Sequence, residues 1–189
     1  MSSQPLDPAV AVLSIQEAVA LPRIAIESIE PLVEDGRFAA KAVQGRARRV
    51  AAVIFTDGHE KLACRVLWRD PRADNWQRIP LRSLGNDHWE AEFIPREIGR
   101  GEFAIEAWVD TYATYCDELK KKFAAGVPVN LELQEGEHLL REAMTHASGE
   151  LAQRIQQVLN RVESNPSVDE RVSLMLDPHT VEAVVLSEI

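Results

Sequence analysis

Between Leu84 and Asp110 the chain alternates apolar and polar residues in two successive runs, and this pattern restricts its fold more than any other feature. After the turn residues Gly85-Asn86-Asp87, the apolar Trp89, Ala91 and Phe93 alternate with His88, Glu90 and Glu92. Pro95 and Gly99-Arg100-Gly101 interrupt the pattern. Phe103, Ile105, Ala107 and Val109 then alternate with Glu102, Glu106 and Asp110. A period of two gives each strand one dry face and one wet face. Antiparallel strands laid over one core meet that requirement.

The same grammar extends upstream. Ile24 and Ile26 open a run that starts at Arg23 and closes at Ile29-Glu30-Pro31, before a polar interval at Glu34-Asp35-Gly36-Arg37. Val50–Phe55 is apolar at every position, which predicts a central strand covered on both faces. Asp57-Gly58 marks a tight turn, because glycine accepts the positive φ that such turns demand. Leu62, Cys64, Val66 and Trp68 alternate with Arg65 and Arg69, and Asp70-Pro71 ends that strand. A further short strand is expected over 76–81, with Pro80 limiting its pairing. About seven short strands between turns predict a β-sandwich.

Beyond Asp110 the period lengthens. Tyr115, Leu119 and Phe123 recur every four residues, until Gly126 and Pro128 stop the pattern. Asn130 is a candidate cap for a helix that puts Leu139, Leu140, Ala143, Met144 and Ala147 on one face. Ser148 begins another, with Leu151, Ile155, Val158, Leu159 and Val162 at helical spacing. Asn165-Pro166 breaks it. Asp177-Pro178 then pairs an N-cap residue with proline at the first helical position. Such short helices are not stable alone and must pack against one another or against the sheets.

The formal net charge of −9 over 189 residues argues against nucleic acid or an anionic membrane as the main partner. No run approaches the ~20 apolar residues of a membrane span. Residues 1–21 lack the basic start of a signal peptide and are expected to form a disordered or weakly helical leader. Cys64 and Cys116 have neither the number nor the spacing of a disulfide framework or metal site. A bridge between them stays open at this stage, and a reduced, cytoplasmic protein is the simpler expectation.

Seven phrases, in order, resemble the amino-terminal region of bacterial α-1,4-glucan maltosyltransferases of the α-amylase superfamily (glycoside hydrolase family 13). They are Arg23-Ile24-Ala25-Ile26 with Glu30-Pro31-Leu32-Val33; Asp35-Gly36-Arg37-Phe38 with Lys41 and Gly45; and Phe55-Thr56-Asp57-Gly58-His59. The others are Gly85-Asn86-Asp87-His88-Trp89, Glu106-Ala107-Trp108-Val109-Asp110, Lys121-Lys122-Phe123-Ala124-Ala125-Gly126 and Leu133-Gln134-Glu135-Gly136-Glu137-His138-Leu139-Leu140. The chain departs from the family pattern at Ala39, at Ala42 and across Thr111–Cys116, where an aromatic-rich turn is usual.

The resemblance implies an immunoglobulin-like sandwich over 22–112 followed by a helical, bundle-like segment over 113–189. A catalytic (β/α)₈ barrel would follow residue 189 and carry the nucleophile and acid/base. The implied partners are that barrel, a second copy in a homodimer, and α-glucan, with no cofactor. It also implies that the helices lead back to a last sandwich strand, without which one sheet edge stays unpaired.

No catalytic or metal-binding residue is assigned. Retaining glycosyl transfer needs two carboxyls about 5 Å apart. Glu102, Glu106 and Asp110 share a strand face at four-residue steps, well over ~7 Å apart, and read as a solvated acidic face. His59 and His88 lie at turns without further ligands nearby in sequence. Trp68, Trp76 and Trp89 are expected in the core or at its rim. Trp108 is out of phase with its apolar neighbours, and three readings fit it: packing under the next helix, an interface, or stacking on a sugar ring. Trp108, Tyr112 and Tyr115 are therefore the candidate interface or glucan contacts. An independent α-glucan-binding module is the alternative to an accessory domain.

Overall fold

A computed structural model of the protein describes residues 24–187. The expected leader over 1–21 and the strand start at Arg23 lie outside the described residues. Within them, seven strands precede five helices. The strands are β1 (Ile24–Glu30), β2 (Arg48–Thr56), β3 (Leu62–Arg69), β4 (Gln77–Pro80), β5 (Arg82–Gly85), β6 (His88–Phe93) and β7 (Glu102–Val109). The helices are α1 (Thr111–Ala124), α2 (Asn130–His146), α3 (Gly149–Ser164), α4 (Val168–Leu176) and α5 (Pro178–Leu186).

The strands form two antiparallel sheets, one ordered β1-β2-β6-β5 and the other β4-β3-β7. Period-two alternation sends Val50, Ala52 and Ile54 of the first sheet inward to meet Cys64, Val66 and Trp68 of the second. The Trp68 and Phe93 rings stack across this core with centroids 4.0 Å apart. Gly101 makes room for that indole, since a Cβ there would lie 2.2 Å from the Trp68 ring. Trp89 sits at the rim, its Nε1 donating to the Ile54 carbonyl at 3.0 Å.

The strand at Val50–Phe55 is central as expected, but Phe55 itself is exposed. Arg82–Gly85 pairs with β6 as a strand, where the sequence pattern showed only a turn. Its bulge at Ser83/Gly85 and its polar residues hide the alternation that would reveal it. The turn Gly85-Asn86-Asp87 has positive φ at all three residues (86°, 49° and 61°), which explains its composition.

The helices enclose a second core, built from Tyr112, Tyr115, Leu119, Leu133, Leu140, Ile155, Val162 and Met175 among others. Asp177 caps α5 as expected, its Oδ1 accepting from the His179 amide at 2.8 Å, with Pro178 opening the helix. Asn130 is the first residue of α2 rather than its cap. That place falls to Val129, which makes no side-chain capping bond but is buried in the helical core. Helix α4 was not evident in the sequence. It spans nine residues, and Ser167 caps it by accepting from the Glu170 amide at 3.4 Å.

Gly136 sets the closest approach inside the helical core. A Cβ at this position would meet the Tyr115 hydroxyl at 2.1 Å and its Cζ at 2.6 Å. Gly136→Ala is therefore expected to destabilise the fold by about 1–3 kcal/mol, as overpacking does. The Tyr115 hydroxyl is buried without a hydrogen-bond partner among the described residues, so Tyr115→Phe alone should cost little. Combined with Gly136→Ala it should restore part of the loss. Urea melts of the two single variants and the double check both statements, and a double variant no more stable than Gly136→Ala refutes the steric account.

Candidate functional site

The two cores meet at one corner, where β7 hands the chain to α1. The Asp110 carboxylate caps α1 by accepting from the Ala113 amide at 2.8 Å, while its own amide donates to the Lys61 carbonyl at 2.8 Å. Thr114 completes the joint: its Oγ1 donates to the Asp110 carbonyl at 2.8 Å and accepts from the Lys61 amide at 2.9 Å. Strand β3, strand β7 and helix α1 are thus tied by four hydrogen bonds within five residues of α1's start.

Trp108 stands half-buried at this corner. Its ring borders a small cleft shared with Ala63, Tyr112, Val184 and Val185, and so lies between the sheet and the last helix. The Arg65 guanidinium covers the ring, 5.1 Å from its centroid. Tyr112 reaches this cleft only from inside the helical core, and Tyr115 lies away from it. They are 1% and 4% exposed, inside the helical core, with ring centroids 5.5 Å apart. The Tyr112 hydroxyl donates to the Met175 carbonyl at 3.1 Å. Burial raises the pKa of both phenols above the usual tyrosine range. Neither ring offers a face to a sugar or another chain at the surface of this molecule.

The structure brings Trp76 to the surface that Trp108 borders, which the sequence did not reveal. Registers across β4-β3-β7 put Arg65 opposite Glu106 and Arg69 opposite Glu102, with Trp108 opposite Ala63. Arg65 Nε bonds Glu106 at 2.6 Å, and Arg69 pairs with Glu102. The Arg69 guanidinium covers the Trp76 ring at 4.5 Å, as Arg65 covers Trp108. Trp76 is 39% exposed, outside the core and at its sheet's rim. The signal was available only in register, because Trp76 belongs to a loop whose partner residues lie seven and more positions away.

Glu102, Glu106 and Asp110, which share a phase along β7, are therefore all engaged. Glu102 and Glu106 remain exposed but ion-paired, and Asp110 is withdrawn into a helix cap. No two of them form an unpaired couple flanking a cleft. No cluster of three metal-ligating side chains occurs among the described residues. His88 Nδ1 lies 2.7 Å from the Asn86 carbonyl and stabilises its own turn. No helix among the described residues is long and apolar enough to cross a membrane.

A shallow groove of about 530 Å³ opens between β3, α1 and α4, lined by Lys61, Leu62, Cys116, Asp117, Lys120 and Leu176. Asp117 is held below the usual carboxylate range by hydrogen bonding to Lys121, with Lys61 adding its charge. Both cysteines are free thiols, and burial pushes each up to about 12. A thiol held that far above neutrality is not a nucleophile.

A family model described as alpha-1,4-glucan:maltose-1-phosphate maltosyltransferase, domain N/S, matches residues 22–188. The chain belongs to that family of maltosyltransferase domains. It is similar to the alpha-1,4-glucan:maltose-1-phosphate maltosyltransferase of Pseudomonas aeruginosa, with 42% identity over 169 residues, 89% of this chain and 26% of the relative. The enzyme of the same name from Burkholderia pseudomallei is 40% identical over 172 residues, 90% of this chain and 15% of the relative. That from Myxococcus xanthus is 44% identical over 126 residues, 65% of this chain and 19% of the relative. The chain thus spans about a quarter or less of the length of these relatives.

The raised thiol values set a pH dependence. In the unfolded chain a cysteine titrates near its ordinary 9.0, and in the folded chain near 12. Between those values the folded state holds more protons, so stability is full below about pH 9 and falls as pH rises toward 12. Buried phenols act in the same direction. The expected outcome is a urea midpoint that declines steadily above pH 9. At pH 8, a thiol-specific disulfide reagent should label neither cysteine rapidly until urea is added. Fast labelling of the native chain would contradict both.

Proposed function

We propose that this chain is a non-catalytic accessory and dimerisation domain of a maltosyltransferase, one that moves maltosyl units from α-maltose 1-phosphate to α-1,4-glucan in the cytoplasm. The observation that carries this reading is the state of the carboxylates. Retaining transfer needs two acidic groups facing one bond, and the β7-phase carboxylates Glu102, Glu106 and Asp110 are spent on arginines and a helix cap. The small share of each relative that the chain covers supports the same view, since it leaves most of a relative's length for the chemistry.

The finer architecture in this reading is an immunoglobulin-like sandwich over 22–112 with a helical insertion over 113–189, standing before a catalytic barrel. Its edges support that arrangement. Strands β4 and β5 have four residues each, and β1 is interrupted by a register shift near Ser28. Short or bulged strands are how natural sheets discourage pairing at an edge. Strand β7 has no such device: eight residues run in unbroken register on β3, with neither proline nor lysine. Val184 and Val185 of α5 border the same cleft as Trp108, near the end of β7. In this reading, chain that follows α5 supplies the last strand at that edge. The helices contribute to a homodimer of the full-length protein.

Two measurements test the reading. Incubated with maltose 1-phosphate and glycogen, the chain alone should release no phosphate; release above a boiled control rejects the accessory role. In hydrogen exchange, the amides of β7 that point away from β3 should exchange rapidly in the chain alone and become protected in the full-length protein. Equal exchange in both removes the missing strand from the proposal.

A further inference from the structure

The outer face of the β4-β3-β7 sheet carries the same arrangement twice. At one end Trp108, Arg65 and Glu106 form a linked set, and at the other Trp76, Arg69 and Glu102 do. In each, a guanidinium lies over an indole while a carboxylate on β7 holds that guanidinium from the side. Arg65 and Arg69 are four residues apart on β3, so the two sets repeat at about 13 Å along the strand. Between them lie Leu67 and Ala104, which face each other in register, and Arg78 of β4, which stands opposite Leu67. Helix α5 approaches this face at the Trp108 corner.

The chemistry of this face is unusual for a protein contact. On this face, Arg65 and Arg69 are each neutralised by a glutamate of β7. Its apolar content is indole and guanidinium planes rather than an aliphatic patch. What it displays is flat π-surface interleaved with fixed donors and acceptors. Arg69 has nitrogens beyond the one bound to its glutamate, and each carboxylate keeps acceptor capacity. A pyranose ring has the matching character, with an apolar C–H face and a rim of hydroxyls that both donate and accept.

We infer that this face is a contact site for α-1,4-linked glucan, with Trp76 and Arg69–Glu102 as its principal contacts and Trp108 and Arg65–Glu106 as its second. The inference rests on the accessory reading above, which makes the acceptor of the parent enzyme the natural polyhydroxyl ligand. Trp76 leads because more than a third of its surface is open. Trp108 is flanked by α5 as well as by Arg65, which fixes it as a wall at the edge of the face. The arginines are held before any ligand arrives, so little side-chain entropy is lost on binding.

The test uses this chain as it stands, in gels with and without soluble glycogen and by calorimetry with maltoheptaose. Cellohexaose serves as the β-linked control. Wild type should be retarded by glycogen and bind maltoheptaose but not cellohexaose. Trp76→Ala should weaken binding by about tenfold, the scale of one lost stacking contact, and Glu102→Gln should weaken it measurably. Thermal melts establish that both variants are folded, and Arg69→Gln replaces Trp76→Ala if the latter is not. Absence of retardation, equal affinity for the β-linked control, or binding unchanged in every folded variant overturns the assignment. Those results leave the accessory reading intact, because phosphate release by the chain alone tests that reading separately.

Discussion

Everything on either side of Val109 depends on the joint at Asp110. A strand and a helix make incompatible demands on the chain that links them: the strand spends its amides sideways, whereas a helix begins with amides that have no partner. Asp110 meets both. Its amide completes the pairing to Lys61 and its carboxylate receives the Ala113 amide of the first helical turn. Thr114 closes the arrangement by bonding both Asp110 and Lys61. An N-cap aspartate contributes about 1 kcal/mol. Here its larger effect is to fix the direction in which α1 leaves the sheet. That direction in turn buries Tyr112 two residues later and sets the helical core against the start of β3 and the end of β7.

This joint also shows where sequence reading reached its limit. The alternation of β7 was plain, and so was the recurrence of Tyr115 and Leu119. Asp110 fitted the polar phase of the strand and so read as its last wet residue. Nothing in its spacing separated a solvated carboxylate from a cap, because both are polar positions at the end of an apolar run. The same ambiguity affected the tyrosines. Exposed aromatic residues after a strand invite a surface role, but Tyr112 and Tyr115 lie on the inward side of α1, where helical phase buries them. Phase was legible only after the helix start was known.

What alternation could identify, it identified well. The inward sets of β3, β6 and β7 lie in or against the first core. Asp177-Pro178 marked its helix start correctly because capping chemistry and a fixed φ act within two residues. The elements that escaped notice are short or lack periodicity: β5, whose bulge spoils its phase, and α4, which offers only nine residues between a proline and an aspartate. The pairing of Trp76 with Arg69 escaped for a different reason. It exists only between chain segments brought together by sheet register, and no local pattern encodes register for a loop residue.

The helical half leaves the sheets beside Trp108 and comes back, at α5, to the same corner. Departure and return at one point make the five helices an excursion rather than a structural bridge. Loop-closure cost grows only slowly with the length of such an excursion when its ends stay together. Helices can then be gained, lost or lengthened there without moving any strand of either sheet. In such a layout the sheets carry the frame, while the helical excursion is the part most able to differ in size from one homologue to the next.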